Sequence, residues 1–78
     1  MPTVLRVGAY RFFFYSNEGQ EPPHIHVEAD SRSAKYWLQP VRLAANHGFG
    51  GVALHEIEQI VMTYRDELER AWHAYFQP

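Results

Sequence analysis

The sequence contains no cysteine. No disulfide can staple the fold and no thiolate can hold a metal or attack a substrate, a composition that fits a reducing compartment. It contains no apolar run of 18 residues, so no helical membrane span is expected. The opening stretch MPTVLRVGAY lacks the basic segment and long apolar run of a secretory signal. A cytoplasmic location is therefore the expectation. Positive charge is also in short supply, with 7 Lys and Arg against 9 Asp and Glu and a net charge of −2. Proteins that grip nucleic acid unaided carry a strong basic excess, so charge gives direct nucleic-acid binding no support. Phosphate-binding glycine loops, nucleophile elbows, HExxH helices and internal repeats are all missing.

Apolar and aromatic residues are what the chain does have. They make up 46% and 15% of its 78 residues. A chain of this length buries only roughly 60–65% of its unfolded surface, so it has material for one core and one domain, residues 1–78. That composition rules out disorder.

The first part of the chain has a period of two. TVLRV (3–7) alternates weakly, and Gly8-Ala9 permits a tight turn. YRFFFY (10–15) reads as a strand, with Tyr10, Phe12 and Phe14 on one face and Arg11, Phe13 and Tyr15 on the other. SNEGQEPP (16–23) is a loop by composition. HIHVEA (24–29) is a third strand, begun by two prolines that donate no ladder hydrogen bond. DSRS (30–33) reads as a turn and AKYWL (34–38) as a fourth strand, with Tyr36 or Trp37 facing the core. VRLAA (41–45) fits a fifth strand or a helical turn, and NHGFGG (46–51) is punctuation.

From Val52 to Phe76 the period becomes helical. Leu54, Ile57, Val61, Tyr64, Leu68, Trp72 and Tyr75 recur at steps of three or four. Thr63 followed by Asp66 allows a fresh start, hence a break near 63–66. Unbroken, this helix would be about 37 Å long beside strands of about 17 Å. It must bend or find a partner. These patterns predict an α+β fold: an antiparallel sheet of four to five short strands covered by a C-terminal helix or helix pair. The aromatic end, Trp72 to Phe76, is expected to anchor self-association or a small cognate partner unless a break folds it back.

The chemistry concentrates in EPPHIHV. Period two puts His24, His26 and Glu28 on one face of the third strand and Ile25, Val27 and Ala29 on the core face. His24 and His26 are candidate ligands for a divalent metal such as zinc, which needs a third donor. Glu28, Glu21, His47, His55 and His73 are the candidates for it. The same face suits metal-free acid–base chemistry by His24, His26 and Glu28, with Arg11 or Tyr15 as an oxyanion or phosphate contact, as in RNA cleavage. A third reading is structural, with the rings hydrogen-bonded to backbone and pinning the 16–23 loop.

The order of motifs resembles a family of small bacterial proteins, domain of unknown function 4160. MPT, RFFFYSNEG, EPPHIHV, AKYWLQPV, NHGF, IEQIV, Glu67-Leu68 and AWHAYF carry the resemblance over nearly the whole chain. It implies a small cytosolic protein, one half of a toxin–antitoxin-like gene pair beside a small DNA-binding protein. Interest then falls on Pro22, Pro23, His24 and His26. The His-x-His-x-His pattern of nucleotide hydrolases is not met, because Glu28 occupies its third position.

Overall fold

The computed structural model describes residues 3–76. Met1 and Pro2 of the opening MPT lie outside the described residues. Five antiparallel strands, β1 (Thr3–Val7), β2 (Tyr10–Phe13), β3 (His24–Ala29), β4 (Arg32–Leu38) and β5 (Val41–His47), form a meander in the order β1-β2-β3-β4-β5. Two helices follow, α1 (Gly51–Thr63) and α2 (Arg65–Phe76). This is the α+β arrangement expected from the change of period. No described helix is long and apolar enough to cross a membrane.

The turns follow local chemistry. Val7 pairs with Tyr10 across Gly8-Ala9, and Gly8 takes a φ of 58° that costs glycine nothing. Ala29 pairs with Arg32, so the turn is Asp30-Ser31 and β4 starts two residues earlier than the DSRS reading placed it. Asp30 accepts a φ of 58°, a conformation that short polar side chains tolerate. β2 stops at Phe13, yet Phe14 and Tyr15 keep the alternation. Phe14 is buried on the helix side, while Tyr15 packs edge-on to Phe13 and His26 on the other face. The segment after Gln39-Pro40 is a strand and not a helical turn, because β4 pairs with it over its length.

One face of the sheet carries Phe12, Phe14, Ile25, Val27, Ala29, Ala34, Tyr36 and Leu38, all buried. The helices cover this face with Ile57, Val61, Leu68 and Trp72. Tyr36, not Trp37, points into the core, and its hydroxyl donates to the Leu54 carbonyl.

The helical segment bends at Tyr64, inside the expected window. Thr63 does not cap a new helix there; its hydroxyl donates back to the Gln59 carbonyl at 2.8 Å. Helix-type bonds continue on both sides, from Tyr64 N–H to Ile60 and from Leu68 N–H to Tyr64. The bend lets α1 cover β4 and β5 while α2 covers β3 and β4. It also gives Trp72 a place within the chain, while Tyr75 stays 40% exposed. Trp72, expected as an interface anchor, is 1% exposed and packs edge-on against Phe14 at 5.4 Å in its own core. Apolar length that a straight helix would leave over the sheet edge is folded back onto it.

Replacing Trp72 by Ala should therefore cost about 3–5 kcal/mol of stability and leave the sedimentation coefficient of the remaining folded protein unchanged. Denaturant unfolding with parallel sedimentation checks this. Loss of assembly at unchanged stability would return Trp72 to an interface.

Candidate functional site

β3 delivers the histidine pair as its alternation requires. Ile25 and Val27 are fully buried on the helix face, and His24 and His26 point away from it. Their environments differ. His24 sits at the end of the strand, where α2 reaches the sheet, and is 0% exposed. Its ring lies 4.8 Å from that of Trp72 and 5.6 Å from that of Trp37. His26 stacks on Phe13 at 5.6 Å, meets Tyr15 edge-on at 4.6 Å, and keeps 14% of its side chain exposed.

The third member of the site is Glu18, which the sequence reading did not single out. Its Oε1 is 2.8 Å from Nε2 of His24 and 2.7 Å from Nε2 of His26. These three donor atoms lie within 4.8 Å of one another. Glu18 belongs to the 16–23 loop, whose contacts have no sequence period to reveal them. The nearest signal is Gly19. A Cβ there would fall 2.6 Å from the Phe76 ring, so glycine lets the loop lie tight against α2 and tucks Glu18 over the histidines.

The other candidates are not members of this three-residue group. Glu28 shares the face but is held by Arg11 at 2.7 Å. Glu21 is engaged by Lys35 and lies 3.9 Å from Nδ1 of His24. His47, His55 and His73 are not part of the cluster. Arg11 lies over the Phe13 ring, with its guanidinium carbon 4.4 Å from the centroid.

Hydrogen bonding defines the electrostatics. Nδ1 of His24 is 2.9 Å from the Pro22 carbonyl, and Nε2 faces the Glu18 carboxylate. Both oxygens are acceptors only, whereas a neutral imidazole carries one proton. A neutral ring can therefore donate to only one of them. Burial holds His26 below the ordinary histidine value, outweighing the opposing pull of Glu18. A neutral His26 then donates its Nε2–H to Glu18. Burial pushes the Glu18 carboxyl up, but the hydrogen bonds from His24 and His26 prevail and hold it below the usual range. Two imidazoles and a carboxylate in this arrangement can share a divalent metal, pass a proton, or lock the loop to the sheet.

Residues 9–73 match the family model "Domain of unknown function (DUF4160)". The chain belongs to the DUF4160 family. Neither the curated proteins nor the solved structures return a match to it. The matched span of this DUF4160 domain takes in β2 to β5, α1, most of α2 and all three members of the Glu18–His24–His26 cluster.

Both shifts have the same sign for stability. A histidine held low in the native state takes its proton in the unfolded chain first, so stability is lost as pH falls from about 6.5 toward the native value. A carboxylate held low contributes stability that is present above its ordinary value and is lost as pH falls through the native one. We expect the melting temperature of chelator-treated protein to fall steadily from pH 7 to pH 4. Glu18→Gln should flatten the acidic end of that curve. A melting temperature that holds or rises over this range would contradict the assignment.

Proposed function

We propose that this DUF4160 domain is a partner-dependent binding module, one component of a toxin–antitoxin-like pair in the bacterial cytoplasm. The observation that carries this reading is the outer edge of β5. The sheet ends there without a covering strand among the described residues. An uncovered edge offers main-chain donors and acceptors to an added strand. Val41–His47 has neither proline nor lysine to discourage pairing. The register with β4 shifts between Lys35 and Tyr36, opposite Ala45 and Leu43, leaving Ala44 as a bulge. That divides the edge into two regular stretches, Val41–Leu43 and Ala45–His47, and the first is the half we assign to an added strand. The same half carries Leu43, 41% exposed, and borders Met62, 55% exposed, and a groove lined by Pro40, Val41, Met62, Thr63, Arg65 and Asp66. The occupant we propose is an extended segment of the small protein encoded beside it, pairing with β5 and placing an apolar side chain on Met62.

Co-expression with that neighbour, followed by light scattering, tests the reading. A stoichiometric complex should form, and Leu43→Lys should weaken it by about tenfold or more, the equivalent of about 1.4 kcal/mol. A complex of unchanged affinity with Leu43→Lys would rule out the β5 edge.

A hydrolase or ribonuclease using the HIH strand is the second reading. The partial exposure of His26 beside Tyr15, with Arg11 and Lys35 on the same sheet face, supports it. Cleavage of short single-stranded RNA that disappears with His26→Ala but survives Leu43→Lys would favour it.

A further inference from the structure

We infer that Glu18, His24 and His26 form a binding site for one divalent transition metal of the zinc class, and that this ion fastens the 16–23 loop to the sheet. The inference is independent of the partner reading.

The argument starts at His24. Its ring lies between two oxygens that can only accept, the Pro22 carbonyl at 2.9 Å and Glu18 Oε1 at 2.8 Å. If the ring proton is on Nδ1, the lone pair of Nε2 faces the lone pairs of the carboxylate. If it is on Nε2, the lone pair of Nδ1 faces the carbonyl. Either neutral tautomer leaves one repulsive contact inside a wholly buried side chain, where an unsatisfied polar contact is costly. A cation between Nε2 and Oε1 removes it. An imidazole that gives its Nδ1–H to a backbone carbonyl and turns Nε2 toward a shared point also has the orientation that metal-bound histidines use.

His26 supplies the second half. Its Nε2 converges on the same Oε1 at 2.7 Å. A neutral His26 can meet Glu18 through its own Nε2–H, whereas one metal ion would engage all three donors at once. Two imidazole nitrogens and one carboxylate oxygen are a donor set of the zinc class, with bonds of about 2.0–2.2 Å. Tetrahedral bonds of that length put neighbouring donors about 3.3 Å apart. The two nitrogen–oxygen separations are about half an ångström shorter, and all three donor atoms lie within 4.8 Å of one another, so binding calls for a small side-chain adjustment within the cluster. The fourth position opens toward the partly exposed side of His26 and Glu18, whose side chains are 14% and 18% exposed. Water or a group from a bound partner would complete the coordination there.

An ion at this point ties Glu18 to a strand through two bonds. Gly19, adjacent to it, packs on Phe76 at the end of α2. The metal would thus order a loop, a strand end and the last turn of a helix together.

Tag-free, chelator-stripped full-length protein titrated with Zn²⁺ and Co²⁺ tests this. One equivalent should bind, cobalt should show the visible bands of a four- or five-coordinate ion, and the melting temperature should rise with free metal. Glu18→Gln, close in shape, should weaken zinc binding by roughly tenfold or more, and His26→Gln likewise, with far-UV circular dichroism confirming that both variants fold. His47, His55 and His73 are internal controls, because their joint replacement should leave the affinity unchanged. Two results would overturn the inference. One is wild-type protein that binds no stoichiometric metal while nitrogen NMR shows His24 protonated on both nitrogens, so that a proton fills the gap. The other is zinc binding that Glu18→Gln and His26→Gln leave intact.

Discussion

His24 is where the separate parts of this small domain meet. Its backbone opens β3, its Nδ1 contacts the Pro22 carbonyl, its Nε2 contacts the loop carboxylate of Glu18, and its ring packs between Trp37 of β4 and Trp72 of α2. A chain this short has little apolar surface to spare. Placing a polar ring at the junction is tolerable only if every polar atom has a partner. That requirement places the loop. Residues 16–23 must return over β3 to bring Glu18 to the ring, and Gly19 must lack a side chain to fit beneath Phe76. Two prolines before the strand hold the return path fixed.

The sheet has a second face, which the helices leave open apart from the contact of Trp72 with His24, and the structure closes it with long side chains. Phe13 is 2% exposed although it points away from the helices. Arg11 lies over its ring, Tyr15 meets it edge-on, and His26 stacks against it. Lys35 does the same for Trp37, its ammonium 4.6 Å from the ring centroid. Glu28 and Glu21 then pair with these cations at the rim. Apolar stems cover aromatic rings while charged ends stay near water. The dense aromatic strand YRFFFY is thereby accommodated on both faces.

Much of this was legible in the sequence, and the parts that were not share a cause. Period two located the strands, put Ile25 and Val27 in the core and turned His24 and His26 to the opposite side. The change of period before Val52 located the helical segment, and the mismatch between its length and that of the strands pointed to the bend at Tyr64. Glu28 was grouped with the histidines because alternation gives only the face. It is silent about position along that face, and Arg11, its cross-strand neighbour, is what holds Glu28. Glu18 was invisible because loop residues have no period, so their contacts depend on how the chain returns. For Trp72 the periodicity leaves two placements, an anchor for another molecule on a straight helix or the chain's own core if a break near 63–66 folds it back. The bend supplies the second of these.

The positions of the tryptophans have a consequence of a different kind. The chain has only two, Trp37 and Trp72, and both rings lie against His24. Imidazolium quenches indole emission far more than neutral imidazole does, and a bound ion alters it differently again. The intrinsic fluorescence of the protein is therefore a built-in gauge of the state of one buried ring. Excited at wavelengths that tyrosine does not absorb, every photon it emits comes from an indole next to His24.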